Sequence, residues 1–269
     1  MRSMYPAFEV FEARQLLTSM SVVPIPLTNL SSEHDFNQVA VADIDNDSDL
    51  DILIPTLDGI FIYENQSTLG KFSDPRLFLP SPAYDIAARD MDGDTDVDVL
   101  IASPRGVSFV ENFGEHFGEE SILFDNPFPT HGCCGANFEF ADTDADGAEE
   151  ILFLYPAPNL STPELTTCDE IHRIRRAPTG EFEHSVVYAS RTCNVRAFTL
   201  ADIDGDRDSD LIVDELNGLT LNLGWVENEG GQFTQSNTMA DPVVPRRHPA
   251  VILTHDIDLD GDVDVVDDY

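Results

Sequence analysis

Basic residues are what this chain most lacks: only 14 of its 269 residues are Lys or Arg, and Lys71 is the one lysine. Against 51 Asp and Glu this leaves a formal net charge of −37. Nucleic acid is thereby excluded as a partner, because binding it requires cationic surface to displace counterions. Long apolar runs are missing as well. No stretch approaches the ~18 residues that a membrane span needs. Cysteine is sparse, with Cys133, Cys134, Cys168 and Cys193 alone, and no C-x-x-C spacing points to zinc. Helical periodicity is absent too, since no segment carries a convincing 3.6-residue repeat. What remains is 42% hydrophobic residues, enough for a sizeable core in one large or two ordinary domains.

The acids are not spread evenly. Five runs, DIDNDSDLD from Asp43, DMDGDTDVD from Asp90, DTDADGAEE from Asp142, DIDGDRDSD from Asp202 and DIDLDGDVD from Asp256, hold five acids each. Their first aspartates lie 47, 52, 60 and 54 residues apart, a period that signals blades or stacked modules. Charge repulsion opposes such alternation unless something neutralises it. Five divalent ions would bring the formal charge to −27.

The surroundings repeat with the runs. Before each lies a strand-length apolar stretch: FNQVAVAD, YDIAARD, NFEFAD, RAFTLAD and AVILTHD. After each comes a second one: LDILIPT, VDVLIAS, EILFLYP, DLIVDEL and VDVV. A third strand with a turn follows in GIFIYENQSTLGKF, GVSFVENFGEHF and LNLGWVENEGGQF, where the shared Glu-Asn, Gly and Phe mark a hairpin with a buried aromatic after it. In the third repeat the insertion APNLSTPELTTCDE precedes IHRIRRAPTGEFE, which supplies the same strand, turn and Phe. Fourth strands follow in RLFLP and SVVYAS. Four strands per period is the unit of a β-propeller blade, so the predicted fold is all-β, a propeller of four full antiparallel blades and a partial fifth.

These units resemble FG-GAP/VCBS-type repeats, the calcium-loop blades of integrin-like propellers, over about residues 34 to 269. The resemblance implies up to five Ca²⁺ ions, each held by acids at positions one, three, five and nine of its loop. Those residues are Asp43, Asp45, Asp47 and Asp51; Asp90, Asp92, Asp94 and Asp98; Asp142, Asp144, Asp146 and Glu150; Asp202, Asp204, Asp206 and Asp210; and Asp256, Asp258, Asp260 and Asp264. Position seven, at Asp49, Asp96, Ala148, Asp208 and Asp262, would offer its backbone carbonyl. A hard cation that takes six to eight oxygens suits such a cage, whereas magnesium keeps more of its water. The turn favours a positive φ at position six, which Gly147 and Gly261 satisfy and Ser48, Thr95 and Arg207 do not. Gly93 and Gly205 sit at position four instead and ease the same turn. Unequal affinities are expected. The last run also matches a dockerin-like EF-hand loop ending at Asp267, but the strand before it favours another blade.

Function is less sharply bounded. The leading reading is a secreted or cell-surface bacterial binding or adhesion module, calcium serving structure, with a protein or carbohydrate partner. Its alternative is a propeller-scaffold lyase or hydrolase acting on polysaccharides. The chain contains no G-x-S-x-G or H-E-x-x-H sequence, and five equivalent acidic loops lack the asymmetry that paired carboxylates need for acid/base work. Residues 1–20 are expected to form an export-type or disordered segment, since FEARQLL resembles the E-x-R-x-L-L opening of many secreted bacterial proteins; residues 21–269 carry the repeats. Two disulfides are allowed in three connectivities. Cys133 and Cys193 both stand nine residues before their run, which suits a bridge between them and leaves Cys134 with Cys168. His131, Arg191, Arg196, Arg246, Arg247 and His248 fall on strand-entry loops, where a cationic mouth would take an acidic sugar or a partner's carboxylate. The strand-like segment Ser21–Leu27, or FEVF before it, could complete the fifth blade. The other expectation is a product shortened from a seven-bladed ring.

Overall fold

The structure, a computed structural model, describes residues 39–66, 72–114, 116–126, 138–155, 168–177, 179–192, 194–217, 220–239 and 252–267. The segments 1–20 and Ser21–Leu27, the mouth residues His131, Arg246, Arg247 and His248, and Cys133, Cys134 and Cys193 lie outside them.

Alternating and clustered apolar residues produce strands throughout, and no helix occurs among the described residues. Sheet 1 comprises β1 (Ala40–Ala42), β2 (Asp51–Thr56), β3 (Gly59–Tyr63) and β4 (Arg76–Leu79); sheet 2, β5 (Asp85–Arg89), β6 (Asp98–Ser103), β7 (Gly106–Val110) and β8 (Ser121–Asp125). Sheet 3 comprises β9 (Phe138–Ala141), β10 (Glu150–Tyr155), β11 (Glu170–Arg176) and β12 (Phe182–Ala189); sheet 4, β13 (Val195–Ala201), β14 (Asp210–Asn217), β15 (Thr220–Asn228) and β16 (Phe233–Thr238). Each is an antiparallel meander in sequence order. The fifth sheet holds two described strands, β17 (Ile252–His255) and β18 (Asp264–Asp267). The last acidic run thus joins two paired strands, as the others do.

Why the second strand of each unit reads as a continuous apolar run becomes clear from what covers it. Strands β6, β10 and the core of β14 are buried on both faces, because a neighbouring sheet packs on each side. Val99 and Ile101 of β6 face sheet 1, against Leu53, Ile60 and Ile62. Their neighbours Leu100 and Ala102 face sheet 3, against Ile151, Phe153 and Ile174. Leu152 and Leu154 then turn the other way, toward Phe198, Leu211 and Val213 of sheet 4. The predicted turn aromatics join these layers: Phe117, Phe182 and Phe233 each pack on the interface with the preceding sheet. Phe117 meets Phe78 edge-on at 4.6 Å. First strands of neighbouring sheets also touch, β1 with β5, β9 with β13 and β13 with β17. Among the described residues no hydrophobic cluster joins the fifth sheet to the first.

One buried charge stands apart from the loops. Asp85, at the start of β5, is 1% exposed, and burial pushes its carboxyl up to about 7. One oxygen accepts the Ile86 N–H at 2.8 Å, while the other has no hydrogen-bond partner among the described residues.

Two predictions follow from the packing. Leu100→Ala should lower unfolding free energy by about 2–5 kcal/mol in a denaturant titration, as a cavity in a close-packed layer does. Leu253→Ala, at a residue of β17 that is 61% exposed, should cost well under that. Asp85→Asn should raise stability at pH 8 and leave it nearly unchanged at pH 4. A folded pKa raised to about 7 gives no penalty below the ordinary carboxyl value and a growing one up to pH 7. The gain at pH 8 should be on the order of 4 kcal/mol, read as the difference between the two proteins across the pH series.

Candidate metal centres

Each acidic run connects the first strand of a sheet to the second, and the five loops are numbered here with their sheets. An acid-rich turn would splay apart without donors to hold it, and the loops supply the same donors in every copy. The position-one carboxylate accepts the N–H of position six at 2.9–3.1 Å: Asp43 from Ser48, Asp90 from Thr95, Asp142 from Gly147, Asp202 from Arg207 and Asp256 from Gly261. Position five accepts the N–H of position seven at 2.8–3.0 Å in all five. Position nine accepts the N–H of position two, at Ile44, Met91, Thr143, Ile203 and Ile257. Three charge-assisted bonds per loop therefore fix the backbone before any ion is considered.

This winding requires two left-handed residues rather than the one expected. Position six has φ of 73° at Ser48, 82° at Thr95, 91° at Gly147, 83° at Arg207 and 101° at Gly261. Position four is positive too, at Asn46, Gly93, Ala145, Gly205 and Leu259. Glycine relieves one of the two places in loops 2 to 5 and neither in loop 1, where Asn46 and Ser48 take both. The missing glycines do not change the loop; each substitutes strain of about 1 kcal/mol for it.

The loops differ in which acids converge. In loops 2, 4 and 5 the carboxylates of positions one, three and five have oxygens within 4.8 Å of one another: Asp90, Asp92 and Asp94; Asp202, Asp204 and Asp206; Asp256, Asp258 and Asp260. Loop 3 adds position nine, bringing Asp142, Asp144, Asp146 and Glu150 together. Loop 1 gathers Asp43, Asp45 and Asp51. Asp47 stands outside that group, as Asp98, Asp210 and Asp264 stand outside theirs. The ninth position lies at the floor of the loop. Asp51, Asp98, Glu150 and Asp210 are all 1% exposed or less, and burial pushes each carboxyl upward. Asp45 is raised as well, by burial and then by the Asp47 charge. Position-seven side chains turn outward to neighbours: Asp96 accepts from the Asn46 amide at 2.7 Å, and Asp208 from the Gly230 N–H at 2.9 Å.

Sequence reading assigned the repeated Glu-Asn to a hairpin and missed its second task. The Asn65, Asn112 and Asn228 N–H groups each donate to the position-nine carboxylate of their own sheet at 2.8 Å. The Asn112 side-chain amide also donates to the Ile44 carbonyl of loop 1 and the Val97 carbonyl of loop 2. Asn228 does the same for Thr143 of loop 3 and Ser209 of loop 4. Adjacent loops are thus stitched together. The signal in the sequence was the recurrence of Glu-Asn after these runs, its Asn 14 residues past position nine in sheets 1 and 2 and 18 in sheet 4.

The expected cationic mouth is altered where it can be seen. Arg196 lies 3.2 Å from the fully buried Asp214 and is 14% exposed, so its charge is already matched inside the protein. Cys168 is disulfide-bonded. No helix of the described residues is long and apolar enough to cross a membrane.

No family model matches the chain, and no curated protein matches its sequence. Solved structures with similar outlines include an Agrocybe aegerita lectin that recognises non-reducing terminal N-acetylglucosamine, at 16% identity and TM-score 0.49, covering 74% of this chain and 50% of that one. Another is the Photorhabdus luminescens Tc holotoxin pore, at 19% identity and TM-score 0.43, covering 92% of this chain and 11% of that one. A third is the V. cholerae biofilm matrix protein Bap1, at 20% identity and TM-score 0.41, covering 74% and 28%. The chain spans half or less of each of these structures.

Thr95→Gly should stabilise the protein by about 1 kcal/mol, because a β-branched residue at φ 82° gives way to one without the Cβ penalty. Gly205→Ala should destabilise it by a similar amount, although open space surrounds the Cβ position, since φ is +80° there. Thermal unfolding of the two variants checks the signs.

Proposed function

We propose that the chain is a calcium-loaded β-propeller segment of FG-GAP/VCBS type that acts outside the cell as a binding or adhesion module for a protein or carbohydrate partner. The observation that carries this reading is the fivefold recurrence of one loop. Each copy repeats the same three carboxylate–backbone bonds and aims at least three carboxylates at a common point. All-oxygen donors, several of them charged, on a backbone wound by alternating residues suit a large hard cation better than zinc or copper. The ligands would be the acids at positions one, three, five and nine, with the position-seven carbonyl beside them.

In this role calcium serves the fold. It removes the mutual repulsion of the acids at every strand junction, where the loop would otherwise strain against its own charge. The propeller reading is supported by face-to-face sheets whose first strands touch between sheets 1 and 2, 3 and 4, and 4 and 5. Secretion is supported by the bonded Cys168, since disulfides persist in oxidising compartments. A binding module is favoured over an enzyme because the five loops repeat one set of carboxylate–backbone bonds, with none set apart as an acid/base pair.

Thermal unfolding with excess calcium and then with chelator, beside titration calorimetry, tests the proposal. Three to five ions should bind, each adding about 2.7 kcal/mol at a hundredfold excess over its dissociation constant. Asp204→Asn combined with Asp206→Asn should remove one ion from the count. Absence of both heat and thermal shift would leave the runs as solvated turns. A panel of acidic polysaccharides should give saturable binding without new reducing or unsaturated ends; their appearance would overturn the non-enzymatic part.

A further inference from the structure

One of the described units breaks the stitching pattern. Ile174 faces Ile151 across sheet 3 just as Val110 faces Val99 and Val226 faces Leu211. Arg175 and Arg176 therefore occupy the places that Glu111-Asn112 and Glu227-Asn228 hold in sheets 2 and 4. Successive residues of a strand point to opposite faces, so the two arginines reach different loops. Arg176 Nη1 lies 3.5 Å from Asp92 Oδ2, at position three of loop 2. Arg175 Nη1 lies 3.4 Å from Asp144 Oδ2, at position three of loop 3, and Arg175 Nη2 lies 2.6 Å from Glu183. Both acids are largely covered, at 12% and 16% exposure. Among the described residues no ion pair reaches the acids of loops 1, 4 or 5.

We infer that Arg175 and Arg176 are built-in competitors for calcium, which make loops 2 and 3 the weak, ionic-strength-sensitive sites of the set. The inference rests on the calcium reading above and adds a ranking to it. Loop 3 would otherwise be the strongest, since it alone brings four acids to one point. A guanidinium on the position-three carboxylate occupies an oxygen that the ion needs. It also places a positive charge within several ångströms of a second one. An ion entering loop 2 must move Arg176 aside or share Asp92 with it, and either lowers affinity on the order of tenfold. In sheets 2 and 4 the same position carries a neutral amide bonded to carbonyls, so loops 1 and 3 feel no such charge from that position.

Calcium titration calorimetry on the whole chain tests this with four proteins: wild type, Arg176→Asn, Arg175→Gln and the control Arg176→Lys. Asparagine is the residue that sister units carry at this place, and circular dichroism checks that each variant keeps its strands. Wild type should show two weak sites apart from the others. Arg176→Asn should tighten one of them about tenfold and Arg175→Gln the other, while Arg176→Lys should leave the first weak because the charge remains. Repeating the titrations at higher salt should narrow the gap between wild type and the neutral variants. If wild type binds calcium and both neutral variants give its isotherm, the inference fails and the calcium reading stands. Binding by none of the four proteins would overturn both. Sites that appear only in the neutral variants would support the inference in its strongest form, the arginines holding their loops shut.

Discussion

In sheets 1, 2 and 4 a buried carboxylate that accepts one N–H from its own loop and another from the end of the third strand holds the strand junction together. Asp98 does this with Met91 and Asn112, Asp210 with Ile203 and Asn228, and Asp51 with Ile44 and Asn65. Desolvation works against the charge at these sites and raises each carboxyl. Two charge-assisted bonds work the other way, and an unmade one would leave a buried donor without a partner. The loop's winding, the hairpin's register and the direction of the inner carboxylates all depend on this one acid. Its side chain is the anchor of the loop first, and a candidate ion ligand second.

The sheets themselves draw cohesion from both of their faces. Val99 and Ile101 serve one interface and Leu100 and Ala102 the next, so a single six-residue strand contributes to two cores. This is the nearest-neighbour economy of a repeat protein, in which each unit buries its faces only against adjoining units. The turn aromatics extend the same logic, since Phe117, Phe182 and Phe233 reach back onto the preceding sheet.

Much of this was legible because the repetition puts a strand, an acidic run and a second strand in the same order five times. Strand identity, antiparallel connection and the place of the loops could all be read from period and alternation. The two left-handed positions could not be read so directly. Glycine marks position four in loops 2 and 4 and position six in loops 3 and 5, so the residues look like exceptions to one rule when they are alternatives within another. Asn112 was hidden for a different reason. Its partner Ile44 lies 68 residues away in another sheet, and no local pattern announces such a bond. Arg196 looked like surface charge in an arginine-poor chain, whereas its place on β13 turns it inward to Asp214.

The amide stitches also settle how far the loops are independent. Ile44 of loop 1 donates its N–H to Asp51 and accepts from Asn112 at its carbonyl, so the two peptide groups that flank one residue are held by different sheets. Ordering loop 2 therefore restrains loop 1, and the conformational entropy lost at one lowers the loss remaining at the other. Thr143 and Asn228 repeat the link between loops 3 and 4. Between loops 2 and 3 the link is ionic instead, through Arg176 with Asp92 and Arg89 with Glu149. Salt-screened contacts made by arginines that are a third to a half exposed restrain far less than a buried amide does. The first four loops are thus divided into two stitched pairs by a softer seam, and the seam falls where the Glu-Asn of the repeat has become Arg-Arg.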